Sequence, residues 1–259
     1  MRRFLAVFWL GAAFATALTD AAGATPDYIT AAIDDPRRPA EDTAQDANRK
    51  PATVLAFAGV KPGDTVIDLM PGAGYYTRLF SLIAGPRGRV VALQPVEMDK
   101  AAPKGLESLR SFAGLPPYEN VTVLVQPIGA LTLPERADLV WTSQNYHDVH
   151  DPFMGSPDVL KFNRSILESL KPGGLYVVLD HRAPAGSGTS DTDTLHRIDP
   201  AAVRSEVLEA GFKFVAQSDD VLRNREDSDR LSIYDKSIRG RTDRFILKFR
   251  RPRTNSASP

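Results

Sequence analysis

The sequence has no cysteine. Without a thiol to join or acylate, disulfide bridges and a lipidated-cysteine anchor are excluded; a thiol-free chain is compatible with an oxidising compartment without requiring one. Charge of either sign is not in excess, with 32 Lys plus Arg against 32 Asp plus Glu. The broad electrostatic footprint of a nucleic-acid or anionic-membrane partner is therefore missing, and the expected partner is a small molecule. No apolar run reaches the ~20 residues that a membrane span needs. One shorter run, Phe4 to Leu18, follows Arg2 and Arg3 and precedes Ala22-Gly23-Ala24, the charged, apolar and small-residue order of a secretory signal. Cleavage after Ala24 and export to a periplasm are the expectation, with an uncleaved anchor as the alternative. No membrane contact is expected beyond this segment.

What is present is an ordinary globular composition. The 259 residues, 42% hydrophobic and 25% charged, have room for one large domain or two small ones, and one is favoured. The stretch Thr65 to Phe80 organises it. Val66, Ile67 and Leu69 suit a strand covered on both faces, and Tyr76, Leu79, Phe80 and Ile83 follow at helical spacing. Between them, Gly72 and Gly74 form a turn at which the backbone can approach a ligand, and Asp68 ends the strand facing the same crevice.

Upstream, Thr25 to Arg49 is polar and reads as an extended arm, over residues 25–50, that is either a linker or a lid over the ligand site. A short helix from Pro51 then opens the folded domain, expected over 51–250. Strands are predicted at Arg89–Leu93, Val121–Val125, Ala137–Thr142 and Leu175–Leu179, and a helix over Val159–Leu170 is broken by Lys171-Pro172-Gly173-Gly174. Asp199 and Pro200 have the pattern of a helix start, and Gly211 closes that helix. Two last strands, Phe212–Val215 and Arg244–Phe249, have no helix between them and are free to pair antiparallel. The fold expected is α/β, a Rossmann-like doubly wound sheet of about seven strands, mostly parallel with an antiparallel edge strand. Residues 251–259 read as a disordered tail.

Three ordered motifs resemble those of class I S-adenosylmethionine-dependent methyltransferases. Asp68-Leu-Met-Pro-Gly72-Ala-Gly74 resembles the family's acidic, glycine-rich first motif. Ser143-Gln-Asn-Tyr-His147-Asp-Val-His150-Asp151-Pro152 resembles the segment after the fourth strand of its small-molecule enzymes, and Leu170 to Gly174 its later turn. The stretch from about Pro51 to Arg250 is similar to a bacterial subgroup known mainly as predicted, exported methyltransferases. The resemblance implies S-adenosylmethionine as cofactor, held by Asp68, Gly72, Gly74, Tyr75, Gln94, Gln126 and Ser143, and a small-molecule methyl acceptor. This sequence also departs from the pattern. Met70 stands where the turn's first glycine is usual, so a differently shaped loop is expected. Gln94 and Gln126 replace acidic residues that usually hold the ribose and the adenine amine, so two polar contacts are altered.

All four histidines, His147, His150, His181 and His196, fall after the fourth and fifth strands or in the loop beyond. His147 is the candidate for a base or substrate contact, since an imidazole titrates near neutral pH; a histidine bonded to loop backbone is its alternative. Asp180 and His181 are candidates to orient substrate or pair with His147, although Asp180 also suits a strand-end cap. No metal site is assigned. His147, His150 and His181 with Asp148 and Asp151 nonetheless hold enough ligating groups for a metal-dependent enzyme, and a non-catalytic exported binding protein is a further alternative. Tyr146 reads equally as a stacking group or a packed aromatic.

Overall fold

In a computed structural model, which describes residues 25–101, 103–132 and 135–253, the organising strand is β1 (Thr65–Leu69). The signal read at 1–24 and residues 254–259 of the tail lie outside the described residues. With β2 (Arg89–Pro95), β3 (Val121–Gln126), β4 (Ala137–Ser143), β5 (Leu170–His181), β6 (Lys213–Ser218) and β7 (Arg244–Arg250), β1 forms one sheet in the order β3-β2-β1-β4-β5-β7-β6. The first five strands pair in parallel. β7 lies between β5 and β6 and is antiparallel to both, which gives the antiparallel pairing expected at that edge.

Helices cover both faces: α1 (Asp27–Ile33), α2 (Ala40–Thr43), α3 (Asp46–Arg49), α4 (Pro51–Ala58), α5 (Tyr75–Ala84), α6 (Val96–Ala101), α7 (Pro103–Phe112), α8 (Val159–Ser169), α9 (Thr192–Leu195) and α10 (Pro200–Glu209). Side chains alternate along a strand, so Ile67 and Leu69 join a core under α8 and α10 while Val66 joins the opposite core under α1, α4 and α5. Asp68, two residues from Val66, therefore belongs to the α5 side. Strand order reverses between β1 and β4, the place where an open α/β sheet leaves a crevice beyond its carboxyl ends.

Several expectations are corrected. The arm is not extended: it folds into α1, α2 and α3, and Ile29 and Ala32 of α1 are part of the core. Helix α8 ends at Ser169, and the Lys171–Gly174 turn belongs to the start of β5, where the register with β4 slips between Ala137 and Leu139. β6 begins at Lys213 and runs to Ser218. Helices α6 and α7 were not expected; α7 buries only Leu106 and Leu109, too few apolar positions to set a clear period. Asp199 does cap α10, accepting from the Ala201 amide at 2.8 Å, with Pro200 at the first helical position.

Candidate functional site

The crevice between β1 and β4 collects the opening motif. Asp68 is buried, and Thr77 Oγ1 on α5 donates to its Oδ2 at 2.6 Å. Burial pushes its carboxyl up to about 7 against the Thr77 hydrogen bond and the Arg49 charge, which both act to lower it. Gly72 has φ 58, and a Cβ there would meet nothing within 4 Å, so the turn presents bare backbone to open space. Gly74 has another role: its Cβ would lie 2.7 Å from Phe112 Cζ, so the missing side chain is what lets α7 pack on the start of α5.

Met70 takes φ 57, the left-handed region that glycine enters freely and other residues enter at a cost of about 1–2 kcal/mol. Two bonds hold it there. Its amide donates to the Leu93 carbonyl at 2.9 Å, and its carbonyl accepts from Asn145 Nδ2 at 2.6 Å. Its side chain is buried in the core beneath. Asn145 also donates to the Ser143 carbonyl at 3.0 Å, so one amide ties the ends of β1 and β4 together.

Over this crevice lies the arm. A cavity of about 230 Å³ is lined by Asp68, Met70, Gly72, Tyr75 and Ser143 from the sheet side and by Asp42, Gln45 and Arg49 from α2 and α3. Arg78 on α5 donates to both oxygens of Asp42 at 2.6 and 2.8 Å, a forked ion pair with almost no exposure. Asp46 receives Arg38 at 2.8 Å and the Tyr75 hydroxyl at 2.5 Å. The Arg49 guanidinium lies 4.4 Å from the Tyr75 ring centroid. The arm thus lies over the crevice and is bonded to α5. Larger hollows, of about 560 Å³ beside Ser81 and Asn120 and about 460 Å³ beside Arg182 and Arg204, lie away from this crevice.

Asp68, Gly72, Tyr75 and Ser143 are thus brought together, whereas Gly74, Gln94 and Gln126 do not line the cavity. Gln94 is buried within β2 rather than after it. The Gln126 amide is occupied by Thr132, accepting from its amide and donating to its carbonyl, both at 2.8 Å. Sequence reasoning missed Asp42, Gln45 and Arg49. No local signal marked them, because Asp42 and Asp46 fall in two separate short helices whose pairing with Arg78 and Arg38 is set by tertiary contacts.

The histidines divide. His147 opens a 3₁₀ turn after β4; its Nδ1 lies 2.9 Å from Asp180 Oδ1, and its amide donates to Asp180 Oδ2 at 2.8 Å. Burial opposes charge on the ring, but Asp180, then Asp148 and Asp151, outweigh it and raise His147 to about 9. His181 Nδ1 meets Thr242 Oγ1 at 2.7 Å, and burial, with His147 and several arginines, holds it well below the usual imidazole value. His150 turns to Glu206 at 3.3 Å, which also accepts from the Tyr146 hydroxyl at 2.8 Å; Tyr146 is a packed aromatic. His147, His150 and His181 therefore do not converge as a metal rim, because His150 and His181 face other partners. In the loop beyond, Arg197 is fully buried against Asp227 and Asp199 caps α10.

No family model matches the chain. It is 31% identical over 139 residues to the ubiquinone/menaquinone biosynthesis C-methyltransferase UbiE of Ectopseudomonas mendocina, covering 50% of this chain and 46% of that protein. It is 34% identical over 128 residues to the same-named protein of Pasteurella multocida, covering 49% and 43%. It is also 27% identical over 139 residues to a protein-L-isoaspartate O-methyltransferase of Triticum aestivum, covering 53% of each. The chain spans about half the length of the curated relatives it matches. Among solved structures, an S-adenosylmethionine-dependent methyltransferase from Aquifex aeolicus superimposes with a TM-score of 0.55 at 19% identity, over 82% of this chain and 98% of that one. The cyclase SpnF superimposes with a TM-score of 0.56 at 18% identity, over 83% and 82%. The chain has the Rossmann-like fold of class I S-adenosylmethionine-dependent methyltransferases and is similar in sequence, over about half its length, to proteins named as methyltransferases.

Proposed function

We propose that the chain transfers a methyl group from S-adenosylmethionine to a small-molecule acceptor. The observation that carries this is the buried Asp68 at the end of β1, beside the bare backbone of Gly72, in a crevice closed by Arg49. These residues fit the amino-acid end of the cofactor. A carboxylate suits its cationic groups, a guanidinium suits its carboxylate, and a glycine without a neighbour at Cβ lets a ligand approach the main chain. The cavity of about 230 Å³ is smaller than the ~300 Å³ at which ligand pockets begin, so the arm shifts outward to admit the whole cofactor. When bound, the cofactor supplies a methyl activated by a sulfonium, and the chain's task is to align the acceptor and exclude water. His147, Asp180 and His181 receive no proton-transfer role in this reading, because each is buried and bonded to other protein groups.

SpnF carries a cyclase's name on the same fold, so the ligand has to be tested directly. Calorimetry of the full chain with S-adenosylmethionine and S-adenosylhomocysteine is expected to give saturable heat, and Asp68→Ala to weaken it at least ~tenfold, as loss of a buried charged contact does. No heat at millimolar ligand would sink the proposal. We extend it to export: Arg2, Arg3, the run Phe4 to Leu18 and Ala22-Gly23-Ala24 support a signal cleaved after Ala24. N-terminal sequencing of the native protein is expected to begin at Thr25, and a start at Met1 overturns this part alone.

A further inference from the structure

We propose that His147, Asp148, Asp151 and His196 form a binding site for a divalent first-row transition-metal ion of the Zn²⁺ class, at the rim of β4 and β5. Among the described residues, His147, Asp148 and His196 offer ligand atoms that all lie within 4.8 Å of one another. His147 Nε2 is 3.3 Å from Asp148 Oδ1, and His196 Nδ1 is 3.9 Å from both Asp148 Oδ1 and Asp151 Oδ2. Nitrogen and oxygen ligands at about 2.0–2.1 Å around a tetrahedral ion are about 3.3–3.4 Å apart. Of the three edges measured, one already has that length and two need a contraction of about 0.5 Å, and Asp151, which stands outside the closest three, has to move inward to complete the shell.

Asp151 gives the independent reason to expect a cation. Its carboxylate is fully buried, and neither oxygen has a hydrogen-bond partner among the described residues. Thr192, beside it on α9, donates its hydroxyl to the Thr189 carbonyl. A buried carboxylate is retained in proteins when it is paired or coordinates a metal, and Asp151 is directed at His196. Asp148, Asp151 and Asp180 place three carboxylates around two imidazoles, a negative pocket that a dication balances.

The second layer is also present. His147 donates its Nδ1–H to Asp180, so Nε2 is the ligating nitrogen once the ion displaces the second proton that the surrounding carboxylates favour there, the carboxylate–histidine–metal arrangement that fixes tautomer and ring orientation. His196 ends α9 at φ 54, a left-handed conformation that turns its ring under Tyr234, with ring centroids 5.0 Å apart. Two imidazoles and two carboxylates suit Zn²⁺, Co²⁺, Mn²⁺ or Fe²⁺ rather than the all-oxygen shells of Ca²⁺ and Mg²⁺. The set is not the rim of His147, His150 and His181: it keeps His147, Asp148 and Asp151, loses His150 and His181, and is completed by His196 at the end of α9.

Elemental analysis of the full chain purified without a histidine tag is expected to find about one transition-metal ion per chain. After chelation, Zn²⁺ titrated by calorimetry and Co²⁺ by visible absorption are expected to bind saturably, Co²⁺ with the strong bands of a four-coordinate site. Asp151→Asn and His196→Gln are each expected to weaken Co²⁺ binding at least ~tenfold, and His150→Gln to leave it unchanged. The metal-free Tm of Asp151→Asn and His196→Gln is measured beside binding, and loss of Co²⁺ binding in a variant that still unfolds cooperatively separates lost binding from lost folding. No metal as purified together with no saturable binding after chelation overturns the site, as does binding indifferent to both variants. Neither readout involves S-adenosylmethionine, so this inference and the proposed function fail separately.

Discussion

Met70 holds a glycine's backbone with a methionine's side chain, and the two properties act on stability in opposite directions. Replacing it by Ala keeps the strain and loses the buried thioether, at a cost of roughly 2–5 kcal/mol for such truncations. Gly loses the same packing and relieves the left-handed strain. Met70→Gly is therefore expected to be the more stable of the two by about 1 kcal/mol in denaturant unfolding, and the opposite order would refute strain at this residue. Asp68 gives a pH signature. Its carboxyl sits at about 7 when folded against an ordinary 3.8, so the folded chain binds this proton more tightly. The associated stability is complete below about pH 4 and is lost as pH rises through about 7. Scanning calorimetry is expected to show the Tm of the wild type falling relative to Asp68→Asn between about pH 5 and pH 8, and a constant difference would contradict the burial argument. At this scale Asp68 and Gly72 were legible because a strand-turn-helix pattern places them locally. Gln94 and Gln126 were read as following their strands and instead lie in the last residues of β2 and β3, because strand length depends on neighbours far along the chain.

Among the elements, the arm was least legible. Its three helices run only four to seven residues and are held by Asp42–Arg78, Asp46–Arg38 and Asp46–Tyr75 as well as by Ile29 and Ala32. Ion pairs leave no hydrophobic period to read. Removing one partner of the Asp42–Arg78 pair leaves the other charge buried alone, so Asp42→Ala or Arg78→Met is expected to cost about 3–5 kcal/mol, and the double variant less than the sum. Trypsin cleavage within the arm is expected to accelerate in Asp42→Ala. An unchanged digestion pattern would mean that this pair does not hold the arm down. The β strands were legible to within a few residues because β1, β2 and β4 are buried runs between turn residues. Helices α6 and α7 were not, because α6 fully buries no residue and α7 only Leu106 and Leu109.

For the whole molecule, the alternation of strands and helices made the layered fold readable, and the missing helix before β7 made its reversed direction readable. The joining of His196 to His147, Asp148 and Asp151 was not, since α9 meets the turn after β4 only through tertiary packing and the α9 boundaries gave no signal. If the crevice holds the proposed cofactor, ligand at 100 times its Kd adds about 2.7 kcal/mol to the folded state. A chain of this size then gains about 5–10 °C in Tm. Asp42→Ala is expected to lose much of that gain because the cover over the crevice is loosened, and an equal shift in both proteins would argue against the arm's part in binding.

A small chamber under an arm held by a buried ion pair also keeps time. On the proposed function, ligand of that size enters and leaves when the Asp42–Arg78 fork opens, and the dwell of the spent cofactor is then expected to follow the opening rate of the arm rather than the speed of methyl transfer. Rapid mixing is then expected to reveal a first turnover faster than those after it, and cutting the fork to abolish that burst.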